Sequence, residues 1–413
     1  MSEWVETPLG KLVSFKKGKK VETSDLALDG FLPYLGASSL TGGEDGFALP
    51  NGGISCVASD ALMLWDGERS GLVGPGKSGV ISSTVMRLRP EAEMTGRYLV
   101  HCLRDRFEWI QARRTGTGVP HVPKDLGRIL ELRFPESELE QSAICNILDA
   151  LDTQIEATEG LIAKQERVRA GLMQDLFTRG VDEHGQLRPP RHQAPHLYHQ
   201  TKLGWLPVGW EALSFEKLVD PNRPISYGIL MPGQHVHDGV PVVKVRDIRG
   251  GEIMQRGLLR TSRKIDAEYA RSRLKENDLL ITIRGTVGRT AVVPAELAGA
   301  NITQDTARLA IAHGTSDFFR EYLSSHAAAI YLQNNTLGQA VQGINLRDVK
   351  SMLAPSPSKC EQSEIAASLK SYRRFLSMLT AELQGLRLLK YGLMQDLLTG
   401  KVSVTPLLEA VPA

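Results

Sequence analysis

The stretch with the most explicit chemistry is GLVGPGKS, residues 71–78, which fits G-x-x-x-x-G-K-[ST] letter for letter. In that pattern backbone N–H groups and the lysine cradle the phosphates of a nucleotide. The chemistry needs a buried strand ending at the first glycine and a helix opening at the lysine, so that the helix dipole converges on phosphate. Neither neighbour qualifies: DGERS precedes it, and the β-branched GVISSTVMRLRP that follows reads as strand. A nucleotide-binding enzyme with regulatory helices is therefore the minor alternative, and Lys77 and Ser78 are better matched to the phosphates of a nucleic acid. Other catalytic patterns are missing: no G-x-S-x-G elbow, no H-E-x-x-H, no Gly-rich loop joined to a βαβ unit, no N-P-P-Y-type adenine-methylation motif and no nuclease carboxylate–lysine cluster. The chain reads as lacking its own active site.

Metal and redox chemistry are also unsupported. Cys56, Cys102, Cys145 and Cys360 are far apart with no C-x-x-C pair, as expected of reduced, buried thiols. His192, His196 and His199 lie in a proline-broken stretch with no acidic or cysteine ligand fixed nearby, so no metal is expected.

A surface for binding is better supported. The net charge of +2 is uninformative, but residues 240–290 carry 12 Lys/Arg against 6 Asp/Glu, whereas residues 136–160 carry 7 acidic residues and no basic one. Basic surface supplies the sequence-independent affinity for a phosphate backbone, and an acidic face suits protein instead. PVVKVRDIRGG and IRGTVGRTAVV place Lys244, Arg246, Arg249, Arg284, Thr286 and Arg289 among short β-type runs and turns. Gly285 and Gly288 let the backbone approach closely, the arginines can neutralise phosphates or reach guanine edges, and Gln304 in NITQD offers an amide of the kind that pairs with adenine. In the first half the counterparts are Lys16, Lys17, Lys19 and Lys20, then Arg69, Lys77 and Ser78.

The elements that position these residues occur twice. GLMQDLFTRGV at residues 171–181 returns as GLMQDLLTGKV at residues 392–402, and upstream Glu140-Gln141-Ser142 falls on Glu361-Gln362-Ser363. Steps of three and four run through Leu148, Leu151, Ile155, Thr158, Ile162, Gln165, Arg169, Leu172 and Leu176. The same register in the second copy gives Leu369, Tyr372, Leu376, Leu379, Leu383, Leu386, Lys390, Leu393 and Leu397. That spacing is a coiled-coil seam. Each helix of about 40 residues spans roughly 60 Å and needs a partner. The other copy is the economical one, and a pseudo-two-fold relation between duplicated modules makes the pair antiparallel. Fainter duplication precedes the helices: WVETPLGKLV from Trp4 and WEALSFEKLV from Trp210, DALMLWDG from Asp60 and DLLITIRG from Asp278, GVPHVPKDL from Gly118 and AVQGINLRDV from Ala340. A common frame with different filling suggests one job done on two targets.

The expected organisation is α+β: a mixed α/β module over residues 1–135, a spacer helix over 136–178, a proline-broken linker over 179–202, a second module over 203–357, a second spacer helix over 358–400 and a frayed tail over 401–413. No run approaches the roughly 18 apolar residues of a membrane helix, and MSEWVETPLGKL lacks a signal-peptide pattern, so the chain reads as cytoplasmic with no membrane role. A scaffold with no DNA role, its helices joining two protein partners, is the remaining alternative.

The paired GLMQDL helix ends, the EQS helix starts and DLLITIRGTVGR with the following NITQD resemble those of the specificity subunits of type I restriction-modification systems, over essentially the whole chain. The resemblance implies two target-recognition domains separated by an antiparallel helix pair, each reading one half of a bipartite double-stranded DNA site. It further implies two methylation subunits held by the helical spacer and restriction subunits beyond them. S-adenosylmethionine, ATP and Mg would belong to those partners, with no cofactor in this chain. SGLVGPGKSGVISST of the first module departs from the pattern, because the usual Arg-bearing loop is less clear there.

Overall fold

The computed structural model describes residues 3–91, 93–116, 118–338 and 342–409. Ala340 and Val341 of the AVQGINLRDV landmark, and the last four residues of the tail, lie outside them. Two long helices, Glu138–Thr178 and Lys359–Leu397, have 41 and 39 residues and contain no proline. Each stops just before a glycine with positive φ, Gly180 at 60° and Gly400 at 71°, the left-handed stop that closes many helices.

The chain divides into two compact units, residues 1–160 with 380–413, and residues 161–379. Each unit holds one α/β module and half of each long helix, and within each the helices pack side by side and antiparallel. In the first unit Lys390 pairs with Asp152, and Arg387 with Glu159 at 2.6 Å. In the second, the Tyr372 hydroxyl donates to the Gln165 carbonyl at 3.3 Å. Numbers rise along one helix as they fall along the other. Leu148, Thr158, Leu176, Leu369, Leu379, Leu383 and Leu397 are buried. Leu151, Ile155, Ile162, Gln165, Arg169 and Leu172 on the first helix, and Tyr372, Leu376, Leu386, Lys390 and Leu393 on the second, are half-buried, while most intervening positions are exposed.

The repeated phrase has a further task at each helix end. The core of the first unit takes Ile144, Cys145 and Leu148 from the start of the first helix and Leu397 and Leu398 from the end of the second. The core of the second takes Ile365, Ala366 and Leu369 from the start of the second helix and Met173, Leu176 and Phe177 from the end of the first. Each of the Leu, Ile, Met and Phe side chains among them contributes roughly 1.5–3 kcal/mol when fully buried. For this reason the units divide inside the helices rather than at residues 135 and 357: each module borrows the end of the other copy's helix.

Both modules are built on one four-stranded antiparallel sheet. Its strand order is Val13–Lys17, Val85–Pro90, Ala61–Leu64, Val73–Pro75 in the first, and Ser226–Tyr227, Thr306–Leu309, Leu279–Thr282, Thr290–Val292 in the second. The third strand of each is buried along its whole length because its alternate faces enter different cores. Ala61 and Met63 pack with the helix ends while Leu62 and Leu64 pack in a second cluster. Likewise Leu279 and Ile281 separate from Leu280. A strand covered on both faces reads as a continuous apolar run, which is why DALMLW and DLLITI stood out together. A second sheet in each module contains a parallel pair, Leu32–Leu35 with Gly79–Ile81 and Val240–Val243 with Asn301–Ile302.

Three expectations are corrected. The stretch read as a linker is held against the second unit: Arg179 and Arg188 exchange side-chain bonds to each other's carbonyls at 2.8 and 2.9 Å, Val181, Ala194 and Tyr198 are buried, and Tyr198–Thr201 pairs with Gly204–Pro207. Proline excludes helix but not packing. The tail is not frayed from its start, since Val404 is 3% exposed in the first unit's core and Thr405–Glu409 forms a helical turn. Cys360 is exposed, because it falls on the outer face of its helix, whereas Cys56, Cys102 and Cys145 are buried free thiols. Burial pushes the Cys56 thiol up to about 11 and Cys145 to about 12. Among the described residues no helix is long and apolar enough to cross a membrane.

Candidate nucleic-acid interface

Each module is clipped together by the same two buried polar groups. Asp60 and Asp278 stand at the head of the central strand, 1% and 2% exposed. Asp60 accepts the Val57 N–H at 2.9 Å and two bonds from Arg89 at 2.7 and 2.9 Å. Asp278 accepts the Lys275 N–H at 2.7 Å and two bonds from Arg223 at 2.8 and 2.7 Å. The fork geometry makes such a pair stronger than neutral bonds. Burial pushes the Asp60 carboxyl up, but Arg89 and the Val57 amide outweigh it and hold it below its ordinary value. The second clip is the glutamine of EQS. Gln141 accepts from the Thr95 N–H at 2.9 Å and donates to the Pro135 carbonyl at 3.0 Å. Gln362 accepts from the Thr315 N–H at 2.8 Å and donates to the Pro357 carbonyl at 2.9 Å. Thr95 and Thr315 are themselves the N-caps of the module helices Gly96–Asp105 and Ser316–Leu323. One buried amide thus ties the start of each long helix to the module it follows.

In the second module the central strand runs into a tight turn over residues 283–289. Fully buried Thr282 organises it: its hydroxyl accepts from the Arg289 N–H at 2.9 Å, its carbonyl from the Gly288 N–H at 2.9 Å, and its N–H donates to the Arg289 carbonyl at 2.8 Å. Gly285 and Gly288 adopt φ of 74° and 89°, a region that disfavours side chains. Arg284, Gly285 and Thr286 are left exposed at the tip. The Gly285 N–H donates to the Gln342 carbonyl and the Ile344 N–H to the Ile283 carbonyl, both at 2.9 Å, fixing a second loop beside it. Between them lies a cavity of 460 Å³ lined by Arg284, Gln304, Tyr227, Asn345, Leu230 and Leu337. Arg284 Nη1 is 3.4 Å from Gln304 Oε1. A guanidinium and an amide side by side on rigid backbone, with an apolar rim, can read base edges by bidentate bonding and contact a thymine methyl. The remaining basic residues are elsewhere. Arg246 and Arg249 are exposed and Lys244 half-buried on the turn after Val240–Val243, and half-buried Arg289 reaches the Val245 and Ile248 carbonyls at 3.4 and 3.3 Å.

In the first module Asp66 occupies the position of Arg284. It pairs with Lys17 Nζ at 2.7 Å and His121 Nδ1 at 2.7 Å, and the Asp66–His121 bridge corresponds to the bridge between Arg284 and Gly343. Lys16, Lys17, Lys19 and Lys20 are exposed at the end of an edge strand, Arg69 on the loop after Asp66, and Lys77 and Ser78 at a turn between two strands. No helix follows Lys77, so residues 71–78 are not a nucleotide cradle. Their glycines serve packing instead: a Cβ on Gly74 would lie 2.6 Å from the Leu40 carbonyl oxygen, and one on Gly76 only 2.3 Å from that of Val57.

Residues 1–167 match the family model described as the type I restriction modification DNA specificity domain. The chain is 26% identical over 417 residues to the type I restriction enzyme MjaVIII specificity subunit of Methanocaldococcus jannaschii, covering 97% of this chain and 93% of that one. It is 25% identical over 313 residues to the EcoBI specificity subunit of Escherichia coli, covering 74% and 65%. Along almost its whole length the chain is thus similar to type I restriction-modification specificity subunits, and its first 167 residues match their DNA specificity domain. Its fold agrees with that of the M. genitalium S subunit, at a TM-score of 0.61 and 16% identity over 96% of both chains. It also agrees with a chain from a type I restriction-modification assembly, at 0.53 and 17% over 97% and 98%.

Of the basic residues singled out in the sequence, the structure brings Arg284 to Gln304, and Arg249 to Gly288 and Arg289, in two separate hollows. Sequence reasoning missed Tyr227, Asn345, Leu230 and Leu337, which come from three separate segments of the chain, and His121, which only the fold brings to Asp66. Thr282 carried a signal: a hydroxyl residue where a buried strand meets Arg-Gly. The acidic run of the first helix faces its own chain, since Asp149 meets His101 at 2.7 Å and Arg97, while Asp152 meets Arg104 at 3.3 Å and Lys390.

Proposed function

We propose that the second module reads one half of a bipartite double-stranded DNA site through Arg284 and Gln304, and that the first reads the other half with a differently charged face around Lys16, Lys17, Asp66 and His121. The observation that carries this reading is the exposed Arg284–Gln304 pair, held by the Thr282-centred turn beside a cavity of 460 Å³. A side-chain pair pre-positioned on stiff backbone loses little entropy on binding. The long helices hold two methylation subunits and fix the spacing of the half-sites. Restriction subunits join that complex, and S-adenosylmethionine, ATP and Mg reside on the partners. The cytoplasm, where the DNA lies, is the matching compartment.

Methylome sequencing of cells producing this chain with its cognate methylation subunit tests the reading. Exchanging residues 1–135 for those of another specificity subunit should change one half of the modified motif, and Arg284→Ala with Gln304→Ala should relax the other. A motif altered in both halves by the exchange, or untouched by the double substitution, would reject it.

A further inference from the structure

We propose that an arginine-lined cleft in the second unit, separate from the Arg284–Gln304 face, clamps backbone phosphates of the bound duplex. This cleft of 470 Å³ is lined by Arg169 and Arg373 from the two long helices, Arg249 and Arg289 from the module, and Glu321. Glu321 is 1% exposed and already shared: Arg320 lies at 2.8 Å, Arg169 at 3.3 Å and Arg373 at 3.5 Å. Asp317, 3.2 Å from Arg320, gives a second carboxylate, and exposed Glu252 acts on Arg320 from farther away. Five guanidinium groups therefore remain positive in sum. Arg320 is 4% exposed and lies behind the cleft, its Nη1 3.4 Å from the Gly251 carbonyl oxygen, while Arg169, Arg249, Arg289 and Arg373 line it. Positive charge concentrated in a hollow is costly, and a phosphate, with several acceptor oxygens, relieves it by accepting from the guanidinium groups that line the cleft.

The cleft is built to close tightly. Gly250 and Gly251 adopt φ of 58° and 83°, and a Cβ on Gly251 would lie 2.5 Å from Arg373 Nη1. Glycine there lets the hairpin of Ile248–Arg249 and Glu252–Ile253 sit down on the helix arginine. The source of the phosphate follows from the connection to the recognition face. Gly288 and Arg289 end the turn that Arg284 begins, so the two sites are five residues apart in the chain, at most roughly 17 Å. Duplex DNA carries a phosphate charge about every 1.7 Å of axis, so a helix seated on Arg284 presents phosphates within that span. The inference rests on the DNA reading above but concerns different side chains.

The test uses the full chain, with salt titrations on a duplex carrying its methylation motif and on a random-sequence duplex. R249Q/R373Q should weaken both by the same factor and lower the slope of log affinity against log salt by about 1–2, since each phosphate contact contributes about 0.9. R249K/R373K should restore most of the slope, whereas R284A should instead erase the preference between the duplexes. An unchanged slope in R249Q/R373Q while R284A still loses preference overturns the clamp and leaves the recognition reading standing. A lowered slope with an indifferent R284A does the reverse. Stabilisation of the wild-type chain by millimolar inorganic phosphate, with no effect of the substitutions on DNA, would mark a free-anion site and also overturn the clamp. Glu321 keeps Arg320 and Arg169 in the double variant; should its melting temperature fall, R249Q alone, which gives up one bond to the Arg246 carbonyl, carries the same expectation at half size.

Discussion

Asp60 and Asp278 occupy the same corner of the two modules and each is gripped by an arginine fork, yet Arg89 comes from a sheet strand and Arg223 from a loop ahead of the sheet. Six residues along the chain the agreement ends: Arg284 is exposed beside Gln304, whereas Asp66 holds Lys17 and His121. The frame is duplicated through buried groups that must be satisfied, because an unpaired donor or carboxylate in the core costs more than a protein of marginal stability can absorb. The tip carries no such constraint, so two unlike faces ride on one skeleton.

The largest effect that could break this comparison lies at the helix starts. Glu361 accepts from the Val181 N–H at 2.9 Å and Trp210 Nε1 at 2.9 Å, and pairs with Arg188 at 2.5 Å. Glu361→Ala should cost about 3–5 kcal/mol, read by urea unfolding; a loss under about 1 kcal/mol would remove the cluster from the frame. Gln141→Leu and Gln362→Leu should each cost roughly 2–3 kcal/mol. Their near equality is the sharper test, since the two amides make matching bonds, and a one-sided result would mean that only one clip matters. Asp60→Asn comes next, at roughly 2 kcal/mol near neutrality. With the folded pKa of Asp60 held below its ordinary value of 3.8, the stability it supplies is present above that value and lost as pH falls through the lowered one. The Asn variant should therefore show a shallower acid limb than the parent.

Effects at the tips are smaller and separate the faces. Arg284→Ala should cost about 1–3 kcal/mol of discrimination between matched and mismatched bases in one half-site, measured by competition binding, with stability unchanged. Asp66→Asn should do something different in kind: by releasing Lys17 it should raise affinity for random duplex by less than about 1 kcal/mol and steepen the salt slope by up to roughly 1. Weaker binding would mean that the Asp66 carboxylate orients a contact instead of restraining a lysine.

The sequence carried the skeleton because the skeleton is periodic and repeated. Heptads through Leu369, Leu379 and Leu383, the twin EQS starts and the apolar runs after Asp60 and Asp278 follow from helix and strand geometry, which acts on neighbours in the chain. Residues 71–78 were separated from a nucleotide loop on the same grounds, since the strand-like run after Lys77 rules out the helix that phosphate binding needs. Tertiary structure alone decided that each module completes its core with the other copy's helix end, that the proline-rich stretch packs instead of dangling, and that Asp66 meets His121 while Arg249 and Arg373 line one cleft. Those contacts join residues up to hundreds of positions apart, and local periodicity holds no information about which distant side chains share a corner; packing density and the need to satisfy buried charge settle that only once the chain has folded.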